Sequence, residues 1–330
     1  MKNLAKRALL RSGLLRLASA VQASGAAILM YHSVLEDPSR QADSLGGIVH
    51  SQSVFSQQME LLARGFHPLS IEELQTMLRG EEKIPNRSVL VTFDDGYRDN
   101  CQNALPILDS VGVPATFYIT VDCVEKGLPP WPSRVRYALR STRRKAWSDP
   151  AGASWALETE AQRDQAFAKA CEYCCRLAGS AQEQLVSGIE TQLEVSLPAS
   201  FGQIMMDWDE VRKIQERGHV IGSHTLSHPN VAQLSLQDAH IELETSRSFL
   251  EKQLKQPVTH FSYPCPALSP HWTKQTVEEC RKVGYKTAVV TDGGLAHKND
   301  DLLCLRRVRP SKTLEGLRWN LEWAFAGRAM

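Results

Sequence analysis

Two stretches of the 330-residue sequence concentrate residue types that handle metals and protons. They are Val91-Thr92-Phe93-Asp94-Asp95-Gly96 and Gly222-Ser223-His224-Thr225-Leu226-Ser227-His228. Adjacent carboxylates at the end of an apolar run repel each other and lose solvation, which is unfavourable unless a cation or a proton settles one of them. Two histidines at i and i+4 present their rings to one side if the segment is helical. Two imidazoles and one carboxylate make a site with positions left open for water and substrate. A lone HxxxH is more often a pair of surface histidines; beside Asp94-Asp95 the balance reverses. Asp95, His224 and His228 are therefore read as ligands of one divalent metal ion. Asp94 is left as the base for an attacking water.

Such residues need a scaffold that brings distant segments together. Seven short runs rich in Val, Ile, Thr and aromatics read as strands, at 26–31, 88–93, 114–120, 219–223, 259–263, 286–291 and 303–308. Helical segments lie between them. Ser70-Ile71-Glu72-Glu73 is a capping box, and Asp207-Trp208-Asp209-Glu210 resembles a second. Gly112, Gly218 and Gly284 fall just before strands, where helix C-caps belong. Leu314, Leu317 and Leu321 mark a closing helix. Strict alternation of strand and helix implies a parallel sheet, closed or doubly wound.

In parallel α/β folds the site forms at the carboxyl ends of the strands. Here those ends supply His32, Asp94-Asp95, His224, Tyr263 and Asp292, while the last strand carries Arg306 and Arg307. Tyr263 and Asp292 are accordingly placed as substrate contacts. Strand alternation sends Arg306 and Arg307 to opposite faces, and Arg307 is the one expected to reach Asp94 and keep it ionised. The spacing breaks once, at about 122–204, where a polar stretch beginning Pro129-Pro130-Trp131-Pro132 is too long for a loop. A helical insertion projecting from one rim is expected there. The chain thus divides into a basic leader, 1–25, and a single α/β unit, 26–330.

Composition sets broad limits. Apolar residues at 42% and a formal charge of +1 describe a globular protein with ample core and no global pull toward nucleic acid. Cys171, Cys174 and Cys175 share one helical face, with no fourth ligand nearby to make a zinc site, and read as a buried stripe of thiols. Reduced cysteines suit a cytoplasmic protein. The leader carries five Lys or Arg, and no acidic residue precedes Glu36. Arg11 and Arg16 interrupt any signal-peptide apolar core. A basic helix lying on the inner face of an anionic membrane and a poorly ordered leader are both compatible with it.

Thr92-Phe93-Asp94-Asp95-Gly96 together with His224-x-x-x-His228 resembles the first two motifs of the polysaccharide deacetylases, the NodB-homology group of carbohydrate esterase family 4. Tyr31-His32, Gly112-Val113-Pro114-Ala115-Thr116-Phe117 and Trp208-Asp209-Glu210-Val211 add to the resemblance. Outside the insertion it implies a distorted (β/α)7 barrel, one divalent metal, commonly zinc, and removal of N- or O-acetyl groups from glycans. By position, Asp94 would be the general base and Asp95, His224 and His228 the metal ligands. The third motif, typically Arg-x-Pro-Tyr-Gly, survives only as Phe261-Ser262-Tyr263-Pro264-Cys265-Pro266, so the N–H facing the oxyanion would belong to Cys265. Arg307 is the candidate for the missing arginine.

The late Leu-x-x-His motif, which carries the family's catalytic acid, is absent after the seventh strand, whereas Ile28-Leu29-Met30-Tyr31-His32 has its form. A strand at either chain end can hold the same place in a closed ring. A circularly permuted order would set strand one beside strand seven and His32 opposite Asp94 as the acid. The resulting expectation is a glycan de-N-acetylase acting on cell-envelope amino sugars, polymeric or lipid-linked. Two alternatives stand beside it. One is a non-catalytic glycan-binding relative; the other is a two-His, one-carboxylate Fe(II) oxygenase, whose ligands usually sit on an all-β scaffold.

Overall fold

The computed structural model describes residues 6, 9–10, 12, 25–41 and 45–327. The leader, 1–25, lies almost wholly outside the described residues. No helix among the described residues is long and apolar enough to cross a membrane.

Seven parallel strands form a closed ring: β1 (Gly25–Tyr31), β2 (Ser88–Phe93), β3 (Ala115–Ile119), β4 (Val220–Ser223), β5 (His260–Ser262), β6 (Thr287–Gly293) and β7 (Leu305–Val308). β2 to β7 follow chain order around the ring, and β1 closes it. β1 pairs with β2 from Ala26↔Ser88 to Tyr31↔Phe93, and with β7 at Ile28↔Arg307 and Leu29↔Val308. The fold is thus a (β/α)7 barrel. It is distorted: the β6–β7 register shifts between Val289↔Leu305 and Gly293↔Arg307, and short strands at Ala296–His297 and His67–Pro68 flank the ring.

The strand sequences account for this arrangement. Ring strands are covered on both faces, so β1 reads as an unbroken apolar run and is buried throughout. Alternation still sorts the side chains. Ala27, Leu29, Tyr31, Val89, Val91 and Phe93 share the core beneath the helices, whereas Ala26, Ile28, Leu90, Tyr118 and Leu305 share another. Gly222 is required by close approach, since a Cβ there would lie 2.5 Å from the Tyr118 ring and 2.8 Å from the His260 carbonyl.

Helices α1 (Gln52–Gly65) and α2 (Ile71–Leu78) link β1 to β2, and α3 (Leu105–Val111) links β2 to β3. The expected capping boxes form at Ser70/Glu73 and Asp207/Glu210, and Gly112 and Gly284 end their helices in the left-handed conformation. Between β3 and β4 the chain forms α4 (Val121–Lys126), α5 (Trp131–Ser141), α6 (Glu160–Cys174), α7 (Gly179–Gln192) and α8 (Trp208–Glu216). This stretch also contains an antiparallel pair, Ala146–Ser148 with Ala156–Ser154, which the helical pattern did not foresee. α5 to α7 bury a separate core of Trp131, Val135, Trp147, Cys171 and Cys174, so the thiol stripe is packing. The long α9 (Leu236–Leu254) precedes β5, α10 (Lys274–Val283) precedes β6, and α11 (Leu314–Phe325) follows β7.

Candidate active site

The parallel register fixes the rim. Because Tyr31 lies opposite Phe93, the next residues of β1 and β2, His32 and Asp94, come level, and Asp94 N–H donates to the Tyr31 carbonyl at 3.1 Å. Asp94 shares the parity of Leu90 and Thr92, as His32 shares that of Ile28 and Met30. Both turn into a cleft of about 350 Å³ that also takes in Asp95, His224, His228 and Cys265.

Asp95 has φ 78° and Gly96 φ 92°, so the chain turns sharply as it leaves β2. This left-handed backbone, rare outside glycine, is tolerated where the surrounding structure demands it. The HxxxH segment is also irregular, which corrects the helical geometry considered from its spacing. After β4 the chain makes a tight loop with positive φ at Thr225 (70°) and His228 (61°), and the two rings sit 5.0 Å apart. Glu242 on α9 holds this loop. Its carboxylate accepts from the N–H groups of Leu226 and Ser227 at 2.9 Å each, and from Ser227 Oγ at 2.6 Å. Thr225 Oγ1 accepts from His228 N–H at 3.0 Å.

These loops bring His224 Nε2 to 3.4 Å and His228 Nε2 to 3.2 Å from Asp95 Oδ1. All three residues are buried, and their ligand atoms lie within 4.8 Å of one another. His224 Nδ1 is 2.7 Å from the Ser262 carbonyl, which can only accept, so Nδ1 carries the proton and Nε2 presents a lone pair. That lone pair faces a buried carboxylate oxygen that has no hydrogen-bond donor. Acceptors turned toward each other repel unless a cation lies among them, so the residues fit a divalent ion.

With no ion bound, a proton can take the cation's place among these groups. Burial opposes ionisation of Asp95, but the imidazoles of His224 and His228 outweigh it and hold the carboxyl well below its usual range. Burial likewise opposes charge on His224, and Asp94 and Asp95 overcome it to raise its pKa.

Arg307 is fully buried and faces inward, with Arg306 exposed on the other side of β7. Its Nη1 donates to Asp94 Oδ1 at 2.9 Å, Nη2 sits 2.8 Å from Oδ2, and Nε donates to the Val290 carbonyl at 3.1 Å. Burial alone would push Asp94 up; Arg307, His224 and His32 prevail and depress it. His32 Nε2 is 4.0 Å from Asp94 Oδ2, beyond hydrogen-bond reach, and the side chain is 19% exposed. Burial lowers its pKa despite the two aspartates. The residues just after the DDG turn clamp this end of β1. Asn100 Nδ2 donates to the His32 carbonyl at 2.6 Å, and Asp99 accepts from Ser33 Oγ at 2.5 Å and Val34 N–H at 2.9 Å.

The remaining candidates divide. Cys265 lines the cleft with Sγ 3.0 Å from His271 Nε2. Tyr263 touches the cleft but is buried, its ring edge-on to Phe261 at 4.9 Å. Asp292 does not reach the cleft. It lies on the exposed end of β6, where the register has shifted, and accepts from Trp272 Nε1 at 2.9 Å, outside the lining of the cleft. Glu242 was missed by sequence reasoning, although its place in the buried stripe Ala239, Glu242, Leu243, Ser246 is a readable anomaly. The insertion reaches the site. Trp131 Nε1 donates to the His228 carbonyl at 2.9 Å, and Ser133, Arg136 and Phe167 line the cleft.

Comparisons with known proteins bear on this arrangement. YxkH, a polysaccharide-deacetylase-family protein of Bacillus subtilis (strain 168), is 23% identical over 290 residues, covering 88% of this chain and 72% of its own length. The poly-beta-1,6-N-acetyl-D-glucosamine N-deacetylase of Escherichia coli (strain K12) is 31% identical over 94 residues, 28% of this chain and 14% of that protein. Among solved structures, the Streptococcus pyogenes deacetylase PplD in complex with acetate superposes with a TM-score of 0.60 at 21% identity, covering 91% of this chain and 99% of that one. IcaB from Ammonifex degensii gives 0.58 at 18% identity, covering 92% and 99%. At these identities the superpositions establish the fold. The sequence profile of the polysaccharide deacetylases matches residues 81–288, a span that holds the DDG turn, both loop histidines and four of the seven ring strands in full. The chain belongs to the polysaccharide deacetylase family.

Proposed function

We propose that this chain is a divalent-metal-dependent hydrolase that removes N-acetyl groups from the amino sugars of a polymeric or lipid-linked glycan. One observation carries the reading: the possible ligand atoms of Asp95, His224 and His228 converge in the cleft beside an Asp94 paired with a buried guanidinium. When bound, a divalent ion lowers the pKa of water toward neutrality and polarises the scissile carbonyl. Asp94 takes the proton of the attacking water, with Arg307 fixing its charge and orientation. The Cys265 N–H is assigned to the developing oxyanion.

His32, in its imidazolium form, gives a proton to the leaving amine as the C–N bond breaks. Its place on the strand that joins β7 to β2 supports reading Ile28–His32 in the role of the missing Leu-x-x-His motif. The substrate named for the E. coli relative supports an N-acetylglucosamine-type sugar.

The test is acetate release from a panel of N-acetylated oligosaccharides by the full chain loaded with Zn²⁺, before and after chelation and after adding metal back. Chelation should abolish release and Zn²⁺ restore it. If the loaded protein releases no acetate from any substrate, the hydrolase reading fails, and sugar binding without release would make it a non-catalytic relative.

A further inference from the structure

Several cations of this molecule sit against carboxylates, as Arg87 does with Glu322 and Arg134 with Glu183 and Glu190. Three that line the cleft do not. Arg136, Arg309 and Lys312 make no ion pair among the described residues, although the chain as a whole carries a formal charge of only +1. The cleft's two carboxylates cannot serve them, because Asp94 is taken by Arg307 and Asp95 faces the histidines.

The three cations come from different segments. Arg136 belongs to α5 and lies over the Phe167 ring at 4.3 Å. Arg309 and Lys312 follow β7. Two of them meet over one short stretch. A Cβ on Gly46 would touch Arg136 Nε at 3.3 Å. Lys312 Nζ donates to the Val49 carbonyl and lies 3.3 Å from His50 Nδ1. Three residues of chain span roughly 10 Å, so these contacts bring both cations to one side of the cleft. An aromatic ring, a carbonyl and an imidazole are their neighbours, and none carries negative charge. Partial burial without a counter-ion pulls the Lys312 ammonium down to about 8.

Unneutralised cations held close together in a concave site favour an incoming anion. We propose that the cleft binds a glycan that carries an anionic group, phosphate or carboxylate, next to its acetylated amino sugar, with Arg136, Arg309 and Lys312 holding that group. The proposal rests on the deacetylase reading and narrows its substrate class to acidic glycans.

The test uses the full chain loaded with Zn²⁺ and three matched oligosaccharides of N-acetylglucosamine: one neutral, one with a phosphate monoester, and one with a uronate carboxylate. Binding is measured by calorimetry and turnover by acetate release. At least one anionic ligand should bind roughly 10–100-fold more tightly than the neutral one, the scale of one or two charge-assisted hydrogen bonds. That advantage should shrink as salt is raised, and the phosphate and uronate arms identify the group. In Arg136→Gln/Lys312→Gln, and separately in Arg309→Gln, the ratio of anionic to neutral affinity should fall toward one. Melting curves of the variants check that they remain folded. Equal affinity for all three ligands overturns the proposal, even if every one is deacetylated. Preferential anionic binding without acetate release supports the subsite and removes the deacetylase reading instead.

Discussion

Arg307 offers the sharpest perturbation, because its guanidinium is fully buried and Asp94 is its buried partner. Arg307→Met keeps much of the volume and leaves the Asp94 carboxylate without a counter-ion. Breaking a buried pair from one side costs about 3–5 kcal/mol, and the direction of the pKa shift makes the loss pH-dependent. In the parent, Asp94 is depressed, so its contribution is present above the unfolded carboxyl pKa of about 3.9 and is lost only as pH falls through the lower folded value. In Arg307→Met the burial that Arg307 now offsets is opposed only by His224 and His32, and the folded pKa rises. The stability deficit should then be largest at neutral pH and shrink on acidification through the raised value.

The same shift reaches the rate, since a protonated Asp94 cannot accept the water's proton. The acid limb of the kcat/KM profile for acetate release should move up by at least about one pH unit, which corresponds to about 1.4 kcal/mol. Arg307→Lys should fall between, because a single ammonium cannot span both carboxylate oxygens and also reach the Val290 carbonyl. Exposed Arg306→Lys should stay within about 0.5 kcal/mol of the parent. Urea unfolding and rate profiles from pH 4 to 9 on metal-loaded protein provide both readouts. An acid limb in Arg307→Met that coincides with the parent's would show that Arg307 does not set the state of Asp94.

The adjacent aspartates should separate by role: Asp94→Asn retains the divalent ion and slows acetate release by about 10²–10⁴-fold, whereas Asp95→Asn loses both ion and activity. Metal analysis alongside kinetics decides, and identical behaviour of the two variants would undo the assignment. His32→Ala should keep its metal and fold while turnover collapses; a near-parental rate would make His32 structural. Glu242→Gln should weaken metal affinity by about 10–100-fold, the usual effect of disturbing groups that orient ligands, because it anchors the loop between His224 and His228 through three hydrogen bonds. Competition with a chromogenic chelator measures that change, and an unaltered affinity would show that the loop holds its shape without the carboxylate.

Much of the molecule is decided locally and can be read along the chain. The capping boxes at Ser70 and Asp207 depend on side chains three residues apart, and the strands on period-two or continuous apolar patterns. The opposite fates of Arg306 and Arg307 follow from alternation alone. The DDG and HxxxH residues announce themselves because residue types that crowd charge and lone pairs need a reason to coexist. What the sequence could not settle is whatever depends on pairing between remote segments or on irregular backbone. That β1 stands between β7 and β2, and so carries His32 to Asp94, is a matter of ring closure between segments near opposite ends of the chain. The loop from His224 to His228 is shaped by positive φ values and by a carboxylate from α9, which no helical spacing encodes. Asp292 stands where the β6 register shifts, outside the cleft lining, and the insertion reaches the cleft through Trp131 and Arg136. Local chemistry chose the residues; long-range strand pairing and side-chain anchoring of loops decided which of them meet.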